Sequence, residues 1–250
     1  MSDDGRRRFG ALRSEDIVAL DERAVESGVA VEQLMEVAGF QVARCAWRVL
    51  GERPGRVTAV AGRGNNGGDA LVGARFLATW GCDVRAWIIS TNEHLAGHAL
   101  LARHAGAASN SGVQTVVSVD RSEGRATIDR ADLILDGILG TGLQSAPREP
   151  QASAIRALND SVARVLSIDV PSGLGASSGE VFDPCVRAAT TCTLVGMKAG
   201  LWAGEARAAA GELWVADIGM PLAAWQAAGL SQPADVRAGA LLSVPSGTLS

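Results

Sequence analysis

Apolar positions change their period once along the chain. From Ser14 to Leu50 they recur every three or four residues; beyond Arg56 they gather in short continuous runs separated by helical stretches. Ile17, Leu20, Ala24 and Val25 predict a helix over 14–27 with Ser14 as its N-cap. Leu34, Met35, Ala38, Val42, Ala46 and Val49 predict a second over 31–50, stopped by Gly51 and Pro54. Strands are then expected at 56–61, 83–90, 113–119, 131–136, 164–169, 190–195 and 212–218, with helices at 68–80, 93–105 and 152–162. Near-continuous apolar strands alternating with helices imply an α/β fold whose mostly parallel sheet is covered on both faces. One domain is expected over 14–228. A flexible polar tail precedes it at 1–13 and a weakly patterned tail follows at 229–250.

Composition narrows the picture. With 250 residues, 47% of them hydrophobic and 20% charged, the chain can bury a full core. The net charge is −4 and the only basic run is Arg6–Arg8, so nucleic acid is a poor partner. No apolar run approaches the length of a membrane span, and none follows the early arginines as a signal peptide would. Cys45, Cys82, Cys185 and Cys192 are scattered in apolar settings, as expected of reduced core thiols in a cytoplasmic protein. Of the 23 basic residues, Lys198 is the only lysine, which suggests a position where a compact ammonium is wanted.

Three polar segments fall at expected strand ends: Gly64–Asp69 (GNNGGD), Asp136–Gly142 (DGILGTG) and Asp169–Gly173 (DVPSG). In an open parallel sheet, ligands bind outside the carboxyl ends of the strands. Glycines there let the backbone approach a ligand, and a helix starting near residue 68 turns its N–H groups toward an anion. Gly62, Gly64 and Gly67 match G-x-G-x-x-G, so a conventional NAD dehydrogenase is one reading. The second strand, however, ends Ile88-Ile89-Ser90 without the acidic residue that reading requires.

GNNGGD, DLILDGILGTGL with Arg148-Glu149-Pro150, IDVPSGL, VADIGMP and the early LMEVAG together resemble the NAD(P)H-hydrate epimerase family, the YjeF N-terminal domain, over residues 14–222. The resemblance implies a Rossmann-like three-layer α/β/α sandwich and interconversion of the R and S forms of NADHX and NADPHX, the hydrated nicotinamide cofactors. It implies substrate contacts at Asn65, Asn66, Gly67, Gly68, Asp69, at Gly140, Thr141, Gly142, Leu143, Gln144, Ser145, Ala146, and at Asp169. It also implies a potassium ion held by Asn66, Asp136 and Ser172, an oxygen-only set that suits a hard cation. A homodimer and a separate NAD(P)H-hydrate dehydratase are the partners it implies. Some YjeF-like domains are non-catalytic binding or scaffold modules, which is the alternative. The reacting carbon of such a substrate is a hemiaminal, so inversion requires proton transfer at oxygen. Asp169 is the first candidate for that work, with Lys198 to hold a phosphate or tune the carboxylate.

Two further patterns are set aside. His94 and His98 are four apart, but no Glu follows the first as in a zinc helix, so they and His104 are expected on a solvated helix face. The string 244–247 repeats VPSG without a preceding Asp or strand.

Overall fold

The computed structural model describes residues 3–245. Its strands are β1 (Arg56–Ala61), β2 (Asp83–Ile88), β3 (Gln114–Val117), β4 (Leu133–Gly137), β5 (Arg164–Ile168), β6 (Thr190–Leu194), β7 (Glu212–Ala216) and β8 (Leu241–Ser243). Its helices are α1 (Asp3–Phe9), α2 (Ser14–Glu26), α3 (Val31–Val49), α4 (Asn65–Thr79), α5 (Asn92–Gly97), α6 (Ala99–Asn110), α7 (Arg121–Ile128), α8 (Gln151–Asn159), α9 (Gly204–Ala210) and α10 (Leu222–Ala227). They form one eight-stranded sheet in the order β3-β2-β1-β4-β5-β6-β7-β8. All neighbours are parallel except β8, which runs antiparallel on β7.

Strand alternation sorts the core into layers. Val57, Ala59 and Ala61 of β1, Val84, Ala86 and Ile88 of β2, and Leu133 and Leu135 of β4 pack with Leu34, Val42 and Leu71 of α3 and α4. Val60, Trp87 and Ile134, one residue out of step, pack with Ile128, Ile155 and Leu158 of α7 and α8. This period of two, with helices on both faces, yields the three-layer α/β/α sandwich. Asp136 shares the parity of Ile134, and burial on that face is the setting of its chemistry. No helix of the described residues is long and apolar enough to cross a membrane.

Several sequence expectations need correction. Residues 3–13 are not a free tail: Phe9 and Leu12 are buried, Leu12 bridges to Lys198, and the Trp202 indole donates to the Gly10 carbonyl at 3.0 Å. The run Arg6–Arg8 hides the signal, because only Phe9 and Leu12 carry the apolar anchor. Nor is the segment after 228 loose as far as it is described, since Val236 is buried and β8 closes the sheet edge. Ser246 and Gly247 of the repeated VPSG string lie outside the described residues. The helix expected at 93–105 is two helices broken at His98. His94 bonds Thr91 at the surface, whereas His104 is buried rather than solvated. Helices α7, α9 and α10 were not expected; each is short and alanine-, glycine- or polar-rich, with too few large apolar residues to show a period.

Candidate active site

Strand order reverses direction between β1 and β4, whose connections leave toward opposite sides of the sheet. Such a switch point opens a crevice at the carboxyl ends of the strands. A cleft of about 520 Å³ opens there. Its walls come from α2 and α3, from the segment around residue 64, from the segment after β4, and from the ends of β5 and β6.

The β1 side explains the glycine- and asparagine-rich motif. It is not a long loop: α4 begins at Asn65, three residues earlier than expected, with Gly64 as its cap. Gly64 has no side chain to cap the helix, and the N–H groups of Asn65 and Asn66 make no bond among the described residues. They are therefore free to meet an anion at the positive end of the helix. The remaining glycines are there for packing. A Cβ on Gly67 would stand 2.0 Å from the Gly62 carbonyl oxygen, and one on Gly62 only 1.9 Å from that of Ile138. Gly68 is pressed against Met35. Thus Asn65, Asn66 and Asp69 line the cleft, while Gly67 and Gly68, expected to touch the ligand, are buried behind it. Arg63, which sequence reasoning passed over, is exposed at the rim beside the helix end.

The segment after β4 divides in a similar way. Gly140, Thr141, Gly142 and Leu143 line the cleft, but Gln144, Ser145 and Ala146 run on over the exposed surface and do not. Ser14, expected as an N-cap, is instead the first residue of α2, whose cap is Arg13. Its hydroxyl donates to the Thr141 carbonyl at 2.7 Å, and its N–H donates to Ser177 Oγ at 2.7 Å. These bonds pin α2 to the cleft rim and turn Ile17 and Asp21 inward, one and two turns along the same face.

Asp136 lies behind the cleft, fully buried. It accepts hydrogen bonds from Ser167 Oγ (2.8 Å), Ser172 N–H (2.9 Å), Ser172 Oγ (2.6 Å) and Ile138 N–H (3.3 Å). Burial raises its pKa, and these four donors act against that rise. Among the described residues no arginine or lysine offsets its charge. The Leu139 carbonyl lies within 3.1 Å of Ser172 Oγ and accepts from Asn66 Nδ2 at 2.9 Å. Residues from α4, β4 and the turn after β5 therefore meet around Leu139. Their oxygens, together with an uncompensated buried carboxylate, fit a monovalent cation by donor type.

Asp169 has a different setting. It follows β5 in a left-handed conformation, φ 68°, and Val195, following β6, repeats this at φ 67°. Such backbone is costly for a non-glycine residue, more so for a β-branched one, and it clusters at functional sites. The two turns bring Asp169 and Lys198 together. Oδ1 of Asp169 accepts the Lys198 ammonium, the Leu194 N–H at 3.1 Å and the Thr193 hydroxyl at 3.4 Å. Lys198 is 1% exposed and also donates to the Leu194 carbonyl at 2.6 Å. The lone lysine is thus a buried ion-pair partner and not a surface charge. Oδ2 takes no hydrogen bond among the described residues, and Asp169 lines the cleft.

Two more carboxyls line the same cleft, Asp21 from α2 and Asp69 from α4. Burial, then the negative charge of Asp169, push the Asp21 pKa up to about 6, and Lys198 opposes the rise. Asp69 is raised well above the usual carboxylate range by burial, then by Asp169 and Asp21. Sequence reasoning missed Asp21, since an acidic residue inside a predicted amphipathic helix carries no mark of where it points.

Residues 31–200 match the family model described as YjeF-related protein N-terminus. The bifunctional NAD(P)H-hydrate repair enzyme Nnr of Hyperthermus butylicus is 39% identical over 225 residues, 87% of this chain but 40% of that protein. The NAD(P)H-hydrate epimerase of Cenarchaeum symbiosum is 37% identical over 208 residues, 81% of this chain and 92% of that one. The chain therefore spans well under half of its bifunctional relatives and most of the length of the single-function one. The crystal structure of yeast Ynu0 shares the fold, with a TM-score of 0.80 at 22% identity over 94% of this chain and 99% of that one.

Proposed function

The chain belongs to the YjeF-related N-terminal family, and from that premise we propose that it is an NAD(P)H-hydrate epimerase, interconverting the R and S forms of NADHX and NADPHX. One observation carries the proposal: a single cleft at the switch point has free helix-end N–H groups on one wall and a buried aspartate–lysine pair on the other. The first suits the pyrophosphate of a dinucleotide. Arg63 at the rim adds positive charge beside it. The second suits proton chemistry away from bulk water.

The reacting carbon of a nicotinamide hydrate carries a hydroxyl beside the ring nitrogen. Losing and regaining that hydroxyl scrambles its configuration and passes through positive charge shared with nitrogen. A carboxylate facing that carbon stabilises the charge as it develops. Asp169 fits this role because Lys198 and the Leu194 N–H fix one oxygen and leave the other toward the cleft. The apolar lining from Ile17, Leu34 and Ile218 lowers the local dielectric and so strengthens the interaction.

Potassium belongs to the same proposal. Asn66, Asp136, Ser172 and the Leu139 carbonyl would hold it, and when bound it supplies the positive charge that Asp136 lacks. The bifunctional repair enzymes among the relatives are consistent with an NAD(P)H-hydrate dehydratase as the functional partner.

The test is an assay of purified R-NADHX with and without potassium, following the appearance of the S form. Interconversion well above the spontaneous rate, enhanced by potassium, is expected. A rate no faster than the uncatalysed one in a folded, potassium-loaded protein would reject the proposal.

A further inference from the structure

Hydroxyl loss needs two groups: one that gives a proton to the departing oxygen, and an anion that faces the resulting cation. Asp169, bound to Lys198, supplies the anion. The proton giver must be a carboxyl that reaches the same cleft and has no cationic partner. We propose that Asp21, on α2, carries the proton to and from the reacting hydroxyl; this rests on the epimerase reading.

The geometry selects Asp21 in three steps. Ser14 anchors the start of α2 to Thr141 and Ser177 on the cleft rim, and Asp21 lies two turns on, lining the cleft with Ile17. Asp21 is half-buried and takes part in no salt bridge and no side-chain hydrogen bond among the described residues. Every neighbouring element leaves it unneutralised. The α3 residues lining the cleft with it, Val31, Leu34, Met35 and Ala38, are all uncharged, and α10, packed along α2, carries no titratable residue. The charged groups facing it are Asp69 from α4, Asp169 after β5 and Lys198 after β6, and the lysine is committed to Asp169. Burial first, and then the Asp169 carboxylate, outweigh the opposing Lys198 ammonium, which is why Asp21 holds its proton up to a pKa of about 6. Asp69 is the weaker candidate because, at 8% exposure, it meets solvent less than the half-buried Asp21, so its proton is replaced less readily.

The step balances without any reactant beyond water. The Asp21 carboxyl transfers its proton to the hydroxyl oxygen, and the C–O bond breaks with its electron pair leaving on oxygen as water. The ring-nitrogen lone pair forms the C=N⁺ bond, and Asp21 is left as a carboxylate. Water then adds to either face of the carbon, the C=N⁺ pair returns to nitrogen, and the surplus proton returns to Asp21.

The experiment compares wild type, Asp21→Asn and Asp21→Glu for R-to-S conversion between pH 5 and 9, with thermal unfolding as a check on folding. Wild-type kcat should fall as pH rises above about 6, because the acid form is lost. Asp21→Asn should lower kcat by about 10²–10⁴-fold with KM changed less than about threefold, and should lose that falling limb. Asp21→Glu should recover part of the rate and restore a limb. An Asp21→Asn variant with wild-type kcat, or one that changes KM alone, overturns the proposal while leaving the epimerase reading intact. Absence of conversion by wild type would remove both.

Discussion

Asp136 and Asp169 each close off a parallel strand, in adjacent strands of one sheet, yet the protein treats them in opposite ways. Asp136 is walled in by four hydrogen bonds from Ser167, Ser172 and Ile138, and among the described residues nothing cationic reaches it. Asp169 directly follows its strand in a left-handed backbone, pairs with the Lys198 ammonium, and lines the cleft with its second oxygen unbonded among the described residues. The difference lies in the neighbours. β4 lies beside β5, whose Ser167 and following Ser172 offer neutral donors. β5 lies beside β6, whose turn delivers a lysine. A strand-end aspartate is thus an anchor or a reacting group according to what the next strand brings to it.

The comparison can be broken in four ways. The largest effect should come from Asp169→Asn, which removes the anion facing the developing charge. Interconversion should drop about 10²–10³-fold, measured as kcat on R-NADHX, whereas a normal rate would place the chemistry elsewhere. Next is Lys198→Met, which strands a buried carboxylate. It should cost about 3 kcal/mol in denaturant unfolding, and Asp169→Asn added to it should recover most of that loss but none of the activity. Lack of recovery would mean that the pair is not coupled.

At the other strand, Asp136→Asn replaces one accepting oxygen by an NH₂, leaves a donor from Ser167, Ser172 or Ile138 unmet, and should cost about 1–3 kcal/mol. It should also abolish any rise in melting temperature on adding potassium chloride beyond that given by sodium chloride. A potassium response that survives the substitution would remove Asp136 from the cation site. The smallest effect is on pH. The folded pKa of Asp21 lies above its unfolded value of 3.8, at about 6, so the folded state binds more protons between them. Stability from this group is therefore complete below about pH 4 and is lost as pH rises through 6. Allowing for its partial exposure to solvent, the loss is about 1–2 kcal/mol, and Asp69 shifts in the same direction. Wild type should unfold at lower denaturant at pH 7 than at pH 5, and Asp21→Asn should flatten that slope.

Much of the fold can be read from apolar runs alone, because a strand buried on both faces needs them wherever it lies. Seven of the eight strands fall within two residues of expectation at each end. β8 escapes because three residues on a sheet edge make no pattern. The glycine motif announces a tight strand-to-helix turn, but which glycines meet a ligand and which meet the backbone depends on how closely α4 presses on β1 and the segment after β4. Gly67 faces the Gly62 carbonyl for that reason, Gly68 faces Met35 of α3, and Gln144, Ser145 and Ala146 fall outside because the chain leaves the cleft after Leu143.

The parallel α/β sheet and the three polar segments at its strand ends are written in the residues alone, since both follow from local periodicity and local turn chemistry. Packing in three dimensions was needed to show that the one lysine is buried against Asp169, that Asp136 is sealed with no cationic partner among the described residues, and that Asp21 joins Asp69 and Asp169 in one cleft. Those pairings link residues tens to well over a hundred positions apart. They are set by strand order and helix packing, which bring together side chains whose own neighbourhoods in the sequence carry no trace of one another.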